Sequence, residues 1–218
     1  MTTCRVCANT GLEFSSEYYS PEDFLHGKRS SRIWIVGINP KKEKDKLLHN
    51  RKIDYLVNYF NNKENIHPYF NDFKRVSMRL YNLLGEENGA AHTDIVKCFS
   101  KKTPPSHCFD KCKEYIVKQL ENQLRFNLLP KIIICNGAPV CDVISNILNI
   151  KTRKQRKKEN DKLITSDIGN FHDNQVTVIY SGFIGRIDDY SKIRLGKEIE
   201  KYMDIYGIGI TLKFYCFK

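Results

Sequence analysis

Four short apolar or β-branched runs constrain the fold of this 218-residue chain more than any other feature. They cover residues 32–37, 93–97, 131–135 and 175–180, and polar or glycine-containing turns bound each of them. Strands that alternate with helices form mostly parallel sheets covered on both faces. We therefore expect an α/β fold, a three-layer α/β/α sandwich with a central four-stranded, mostly parallel sheet. The apolar residues at helical spacing between the runs are Tyr55, Tyr59 and Phe60; Phe73, Val76, Leu80 and Leu83; Ile116, Leu120 and Leu124; and Ile193, Ile199 and Met203.

The length of the chain favours one domain, because 218 residues is close to the usual size of a single α/β domain. We expect this domain to span residues 1–218, with residues 1–31 as an N-terminal segment that carries two cysteines. No run approaches the roughly 20 apolar residues of a membrane helix. The first residues also lack the pattern of a secretion signal. We therefore expect a cytoplasmic protein that does not bind membranes, and we expect it to be a monomer.

The chain is strongly basic. Its 36 Lys and Arg against 25 Asp and Glu give a formal net charge of +11, which favours a polyanionic partner such as DNA. A solvated, lysine-rich surface without such a partner explains the charge equally well. The most basic stretch is residues 151–158. This stretch predicts either a loop that faces phosphates or a solvated loop with no partner.

The chain has eight cysteines, which in a reducing compartment indicate metal ligands where the spacing is suitable, rather than disulfides. Cys4 and Cys7 form a Cys-x-x-Cys pair, and Cys98 and Cys112 supply two further thiolates, with Cys108 as an alternative ligand. Four sulfur ligands suit zinc or an iron–sulfur cluster, and their spacing does not distinguish the two. The remaining cysteines have apolar neighbours and are expected in the core: Cys135, Cys141 and Cys216.

Several motifs follow one another in a recognisable order. They are the N-terminal Cys-x-x-Cys pair, Thr93-Asp94-Ile95-Val96-Lys97-Cys98, Pro104-Pro105, Cys112, Gln119, Pro130, Lys131-Ile132-Ile133-Ile134 and Gly137-Ala138. In these motifs the chain resembles the family 4 uracil-DNA glycosylases. The resemblance implies a DNA glycosylase with DNA as its partner. It also implies a structural [4Fe-4S] cluster held by Cys4, Cys7, Cys98 and Cys112.

The motif Gly37-Ile38-Asn39-Pro40 directly follows the first predicted strand. Family 4 enzymes usually have an acidic Gly-Glu-x-Pro-Gly version of this loop, which holds the hydrolytic water. The form found here is similar to the mismatch-specific uracil and thymine glycosylases, in which the Asn positions the water. This resemblance makes Asn39 the catalytic residue and places Gly37, Ile38 and Pro40 at the substrate. An N-glycosidic bond breaks through an oxocarbenium-like sugar, so orienting the water matters more than a strong base.

Asp94 stands where the family normally has an Asn that reads the Watson–Crick edge of a flipped uracil. A carboxylate accepts from the exocyclic amine of cytosine but faces uracil O4 with like partial charge. Such a contact in a buried pocket costs about 1 to 3 kcal/mol, so Asp94 favours a cytosine-type base. If burial protonates Asp94, it instead donates to cytosine N3 and improves the leaving group. The alternative is that Asp94 only caps a neighbouring loop.

Residues 181–186, which read Ser-Gly-Phe-Ile-Gly-Arg, follow the last predicted strand. In the family this position holds a His-Pro-Ser or His-Pro-Ala loop, whose His stabilises charge on the departing base. The His is absent, and Ser181 offers only a neutral hydrogen bond to the substrate. The resemblance places Gly182, Phe183, Ile184 and Arg186 against DNA as wedge and backbone contacts. Alternatively, Phe183 and Ile184 simply close the core.

An aromatic side chain after the water loop stacks on the flipped base in this family, and Phe70 is our choice over its neighbour Tyr69. The connection before it, residues 41–67, is longer than expected for such a loop and predicts a roomier pocket. Within it, Glu43 and Asp45 are either further stabilisers of the sugar cation or solvated loop charges.

We therefore expect a monofunctional DNA glycosylase that removes a 5-modified cytosine and leaves an abasic site. Hydroxymethylated or glucosylated cytosines of phage DNA fit this description, so a role in defence against phage follows. The nearest alternative is a repair glycosylase for uracil or another deaminated base. A non-catalytic DNA-binding module of the same fold and a zinc-bound structural protein are the remaining alternatives.

Overall fold

Five strands form one sheet in the computed structural model, which describes residues 10, 12, 20–40, 53–99, 103–162 and 164–209. The strands are β1 (Ile33–Gly37), β2 (Ala90–Asp94), β3 (Ile132–Asn136), β4 (Ser166–Phe171) and β5 (Asn174–Ser181). Their order across the sheet is β2-β1-β3-β5-β4. Strands β2, β1, β3 and β5 run parallel, and β4 lies antiparallel to β5 at the edge.

Helices cover both faces of the sheet. In chain order they are α1 (Ile53–Val57), α2 (Asp72–Val76), α3 (Met78–Asn82), α4 (Ser106–Arg125), α5 (Ala138–Ile147), α6 (Arg153–Lys158) and α7 (Asp189–Ile205). Trp34 and Val36 of β1 share one core with residues of α4 and α5. Ile33 and Ile35 share the other core with residues of α2, α3 and α7, because successive strand residues point to opposite faces. The predicted three-layer α/β/α sandwich is confirmed.

The prediction of four strands is wrong, because the sheet also contains β4. As an edge strand, β4 is only partly buried and lacks the apolar run that marks a central strand. A two-residue hairpin joins it to β5, and both central residues, His172 (φ 44°) and Asp173 (φ 63°), have the left-handed conformation of a type I′ turn. His-Asp is a weak signal for such a turn compared with Asn-Gly, and the hairpin was therefore not predicted from the sequence.

Strand β2 is displaced from its prediction of residues 93–97 and ends at Asp94. Its register pairs Ile33 with Ala90 and Gly37 with Asp94 across the two parallel strands. Pairing with β1, rather than β-branched side chains, therefore defines this strand. The buried residues that suggested the later position bond to the end of β1 and to the loop after it: Ile95 N donates to Gly37 O and Val96 N donates to Ile38 O, each at 3.0 Å. Cys98 consequently lies beyond the strand and does not close it.

The apolar pattern over residues 73–83 predicts one helix, but the structure has α2 and α3 with a break at Ser77. Ser77 is extended (φ −155°, ψ 116°), and its Oγ accepts a hydrogen bond from Leu80 N at 3.1 Å, which caps α3. Helix α7 approaches this break closely, since a side chain at Gly196 would clash with the carbonyl oxygen of Val76. Tertiary packing, which the apolar spacing does not report, therefore divides the helix.

Residues 153–158 form helix α6, where the sequence predicts a loop. Thr152 Oγ1 accepts from Gln155 N at 3.2 Å, and Gln155 Oε1 accepts from Thr152 N at 2.7 Å. This reciprocal capping box starts the helix and outweighs the repulsion among its basic side chains. Throughout the described ranges, no helix combines the length and apolar character needed to cross a membrane.

Candidate active site

The carboxyl ends of the four parallel strands meet at one edge of the sheet. β1 leads into Asn39, β2 ends with Asp94, β3 ends with Asn136 and β5 ends with Ser181. The chain passes from β1 to β2 on one side of β1 and from β2 to β3 on the other. Such a reversal opens a crevice beyond the strand ends, which is the usual ligand site of a parallel sheet. The structure therefore brings the predicted base-reading, water-positioning and last-loop residues to the same edge.

Gly37 and Asp94 are register partners at the mouth of this crevice. A Cβ atom on Gly37 would overlap Asp94 Oδ1 and would lie 3.1 Å from His92 Nε2. The Asp94 carboxyl therefore rests directly against the backbone of β1. Only glycine leaves room for this contact at position 37, which is a structural reason for the first residue of the Gly-Ile-Asn-Pro motif.

Burial dominates the electrostatics of Asp94, which is 3% exposed. Burial raises the pKa of its carboxyl from 3.8 to about 7, although the Lys97 ammonium acts in the opposite direction. Lys97 Nζ itself donates to Thr93 Oγ1 at 2.5 Å and to Gln119 Oε1 at 2.9 Å. His92 Nε2 lies 3.8 Å from Asp94 Oδ1, but burial holds the pKa of His92 well below its usual value, so this imidazole is neutral.

The loop-capping alternative for Asp94 lacks a hydrogen bond to support it. Within the described ranges, no residue donates to the Asp94 carboxyl. The carboxyl is therefore buried at the crevice with its polar atoms uncommitted to local structure. A buried carboxyl in that state is suited to bind a polar ligand and to change its protonation state near neutral pH.

Replacing Gly37 with Ala should displace the Asp94 carboxyl, because the new Cβ overlaps Asp94 Oδ1. We expect a loss of about 1 to 3 kcal/mol in the free energy of unfolding, as for other overpacked sites, together with a clear loss of base release. Urea unfolding and a glycosylase assay measure the two effects. Gly207→Ala is the control for activity: an added Cβ there meets no atom within 4 Å, and although the left-handed backbone (φ 61°) makes Ala lower the stability, base release should not change. Full activity in Gly37→Ala would contradict this placement of Asp94.

Asn39 is half-buried in the loop after β1. Its Nδ2 donates to the carbonyl oxygen of Pro40 at 3.0 Å, which fixes the orientation of the amide group. Ile38 packs against the turn between β3 and α5, because a Cβ on Gly137 would lie 3.2 Å from Ile38 Cδ1. The predicted loop charges Glu43 and Asp45 lie outside the described residues.

Asn136 lies at the site but was not predicted from the sequence. Its side chain is buried at the end of β3, where Nδ2 donates to the Tyr69 hydroxyl and Oδ1 accepts from Ile184 N at 2.7 Å. One amide thus connects the segment before α2 with the loop after β5. Its position at the end of an apolar run, just before Gly137, was the available signal. Burial, with Asp94 as a second cause, raises the pKa of Tyr69, so its phenol stays protonated.

The structure buries Phe70, the predicted stacking residue, and leaves its neighbour Tyr69 partly exposed. Phe70 is 3% exposed and packs edge-on against Phe60 and His92, each with ring centroids 5.0 Å apart, so it is a core residue. Tyr69 is half-buried and lies nearly parallel to the Phe183 ring, at 6.1 Å and 23°. Tyr69 is therefore the partly exposed aromatic residue of this pair, and Phe70 is not.

The loop after β5 divides between core and surface. Ile184 is 1% exposed, so it closes the core and is not available as a wedge. Phe183 is half-buried, Gly182 and Arg186 are exposed, and the Arg186 guanidinium lies 5.9 Å from the Phe183 ring centre. Ser181 Oγ donates to Gly182 O at 2.8 Å, so its proton points to the backbone and not to a departing base.

Tyr69→Phe should destabilise the crevice, because it leaves the buried Asn136 Nδ2 without its acceptor. We expect the free energy of unfolding to fall by about 1 to 2 kcal/mol and base release to fall with it. Urea unfolding and a glycosylase assay test this. Tyr202→Phe is a matched control, because it removes the hydroxyl contact between Tyr202 of α7 and Ser166 Oγ of β4. It should change stability without changing base release. Equal activity losses in both variants would refute a specific role for Tyr69.

Cys98, Cys108 and Cys112 are buried in the core beside α4. That core also contains Leu12, a described residue of the N-terminal segment that carries the Cys-x-x-Cys pair. Cys4 and Cys7 themselves lie outside the described residues. Among the residues that are described, no group of three or more His, Cys, Asp or Glu side chains is arranged to hold a metal ion. The four-cysteine ligand set therefore stays a prediction.

The other cysteines are not all core residues. Cys135 is buried as predicted. Cys141 is half-buried instead, and its Sγ lies 3.7 Å from Ser181 O. Cys216 lies outside the described residues.

Comparison with known families identifies one match. The model of the uracil DNA glycosylase superfamily matches residues 24–182, which is most of the chain. The match includes β1 to β5 and every strand end at the crevice, from Gly37 to Gly182. Searching the curated proteins returned no match.

Proposed function

The chain belongs to the uracil DNA glycosylase superfamily, and we propose that it is a DNA glycosylase that removes a 5-modified cytosine from DNA. The observation that carries this proposal is the buried Asp94, whose raised pKa makes the neutral carboxyl available at neutral pH. A neutral carboxyl has one donor and one acceptor. Its carbonyl accepts from the cytosine amine, and its hydroxyl donates to cytosine N3.

In the proposed reaction, the bond between the sugar C1′ and the base nitrogen breaks, and its electron pair leaves with the base. Water oriented by Asn39 Oδ1 then bonds to C1′, and the proton that this water loses passes to solvent. The Asp94 proton, donated to cytosine N3, stabilises the departing base. Asp94 would thus supply the stabilisation of the leaving base that Ser181 does not, because the Ser181 hydroxyl donates to Gly182 O.

The flipped base needs a flat apolar surface, and Tyr69 with Phe183 supports this part of the proposal. Their nearly parallel rings border the same crevice as Asp94, and Asn136 holds the Tyr69 hydroxyl and the backbone of the Phe183 loop together. A normal cytosine must be spared, so selectivity requires recognition of a 5-substituent. Hydroxymethylated and glucosylated cytosines of phage DNA have such substituents, and we propose defence against phage as the biological role.

Excision of uracil is the second candidate function. A neutral Asp94 also fits uracil, since its hydroxyl can donate to O4 and its carbonyl can accept from the N3 hydrogen. An ionised Asp94 disfavours uracil, because the carboxylate then faces O4 with like charge. The pKa of about 7 therefore keeps this alternative open at lower pH.

Mass spectrometry of released bases tests the proposal directly. Duplexes that carry uracil, cytosine, 5-hydroxymethylcytosine or glucosylated cytosine are incubated with the protein, and the free base and abasic strand are quantified. We expect release of a 5-modified cytosine and no release of cytosine. Release of uracil alone would overturn the assignment of the base. Release of nothing from any duplex would support a non-catalytic DNA-binding module instead.

We further propose that Cys4, Cys7, Cys98 and Cys112 hold a [4Fe-4S] cluster with a structural role. The burial of Cys98 and Cys112 in one core with Leu12 supports it, because Leu12 lies only five residues after Cys7 in the sequence. Thiolate ligands suit such a cluster. When bound, the cluster would anchor the N-terminal segment and the loop after β2, and no catalytic step involves it.

Cys98→Ser and Cys112→Ser should each lose iron and acid-labile sulfide, because each removes one thiolate ligand. Iron analysis and visible absorbance of the purified chain measure the loss. Cys141→Ser is the control, since Cys141 lies beside Ser181 and outside the proposed ligand set. It should keep the iron content of the unaltered chain. A colourless chain that contains zinc would contradict the iron–sulfur proposal.

A further inference from the structure

A cavity of about 250 Å³ lies between α5, α6 and the end of β5. Its lining residues include four cations, Lys151, Arg153, Arg156 and Arg194, together with Tyr180 and Ser181. None of the described residues that line it is a carboxylate. A cavity with this lining is suited to an anionic group.

Two of the four cations already have partners. Lys151 Nζ forms ion pairs with Glu159 at 2.7 Å and Asp161 at 3.0 Å, and Arg156 pairs with Asp167 at 2.5 Å. These pairs hold both side chains in place and neutralise most of their charge.

Arg153 and Arg194 form no ion pair with any residue in the described part of the chain. Asp188 interacts electrostatically with Arg194, but its carboxylate caps α7 by accepting from Ser191 N at 2.7 Å. Two guanidinium groups with uncompensated charge therefore face the cavity. Guanidinium groups bind phosphate oxygens in a bidentate manner, which lysine cannot reproduce.

The cavity adjoins the candidate active site. Ser181 and Gly182 line the cavity, and Ser181 is also the register partner of Asn136 at the crevice. β5 lies two strands from β1, which separates the cavity mouth from the loop of Asn39 by about 10 Å at a strand spacing of about 4.8 Å. A DNA strand with one nucleotide flipped into the crevice thus passes the cavity within one or two nucleotides.

We propose that this cavity binds a backbone phosphate of the DNA strand that carries the flipped base, through Arg153 and Arg194. The proposal rests on the proposed function only in taking DNA as the substrate. A volume of 250 Å³ holds about eight waters at liquid density, which leaves room for a phosphodiester group and part of its sugar. The exposed neighbours Lys154 and Lys157 on α6 do not line the cavity.

The double variant Arg153→Gln/Arg194→Gln tests the proposal against Lys154→Gln/Lys157→Gln. Both variants remove two positive charges, and all four side chains are exposed, so both should fold, as thermal melting can verify. The probe is a duplex that contains a tetrahydrofuran abasic analogue. We expect the cavity variant to bind it at least about 10-fold more weakly and to lower the slope of log K against log salt by about 0.9, the value for one phosphate contact. The control should lose less affinity.

Single methylphosphonates in the same probe locate the contact, since each removes the charge of one phosphate. One position near the abasic analogue should weaken binding by the unaltered protein and by the Lys154→Gln/Lys157→Gln control. The same position should have no further effect on the Arg153→Gln/Arg194→Gln variant, because that variant has already lost the contact. Equal losses in the two variants at every position would overturn the proposal.

Two further outcomes separate this proposal from others. If inorganic phosphate binds through Arg153 and Arg194 while no methylphosphonate position matters, the cavity takes a free anion and the DNA assignment is wrong. If the position-specific effect occurs but no base is released from any duplex, the cavity proposal stands and the proposed glycosylase function fails. The base-release assay and the binding assay can therefore refute the two proposals independently of each other.

Discussion

Asn39→Ala should lower the single-turnover rate of base release by about 10²-fold or more, with DNA affinity almost unchanged. The variant removes Oδ1, the acceptor that orients the water, and the misplacement of a reacting group by about 1 Å costs on this order. The hydrogen bond from Asn39 Nδ2 to Pro40 O holds the amide group in one orientation. Rapid-quench kinetics on a duplex that contains the substrate base measure the single-turnover rate. Binding to the duplex with the abasic analogue measures the DNA affinity.

Asn39→Asp is the matched variant for this experiment. It keeps an oxygen acceptor at the same position and adds a charge that stabilises the sugar cation, so we expect it to retain much more activity than Asn39→Ala. Base release that survives Asn39→Ala at the rate of the unaltered protein would eliminate Asn39 as the residue that positions the water. A parallel loss of DNA binding would show that the substitution disturbs the loop and not the chemistry.

Asp94→Asn should lower release of the modified cytosine by about 10²-fold at pH 6, because an amide cannot transfer a proton to N3. The same variant should gain uracil release relative to the unaltered protein at pH 8, where the native carboxylate repels O4. The comparison of both bases at both pH values separates a change in recognition from a general loss of activity. Loss of both activities together would indicate that Asp94 serves the fold and not the base.

The pH dependence of base release should show which protonation state of Asp94 supports the reaction. Burial raises the pKa of this carboxyl above its usual 3.8 to about 7, so the neutral acid predominates below pH 7 and is lost as the pH rises. Release of the 5-modified cytosine should therefore be highest below pH 7, and above it the rate should fall by up to about tenfold per pH unit. Lys97 opposes the shift while it is charged, but burial lowers the pKa of Lys97 itself, and the neighbouring His92 and Tyr69 are uncharged at neutral pH. A rate that rises between pH 6 and 8, or the same profile in Asp94→Asn, would exclude Asp94 as the acid.

The strand ends at the candidate site could be located from sequence wherever a central strand was an apolar run. β1, β3 and the middle of β5 are buried on both faces, so their side chains form such runs, and the ends of these strands were located correctly. β2 contains Ala-Ala-His-Thr-Asp, and only its pairing with β1 makes it a strand. Asp94 was therefore assigned to the site through motif resemblance, and the closure of β2 on β1 accounts for its burial.

Contacts between distant segments could not be predicted. Asn136 holds Tyr69, 67 residues away, and Ile184, 48 residues away, and no local pattern encodes either contact. The choice of Phe70 over Tyr69 failed for the same reason, since adjacent aromatic residues differ only in which of them the fold buries. Likewise, the ion pairs of Lys151 and Arg156 distinguish them from Arg153, although all three look alike in a stretch that is uniformly basic in sequence.

By itself, the sequence determined the layered α/β architecture and the place of the Gly-Ile-Asn-Pro motif, because hydrophobic periodicity and strand ends are local properties. Only the tertiary structure decided which side chains are buried at the crevice, and with that the pKa of Asp94. Desolvation depends on every segment packed around a group, and for Asp94 these come from β1, the residues before α2 and the loop that follows β2. The chemical character of the site is therefore a property of the packed molecule.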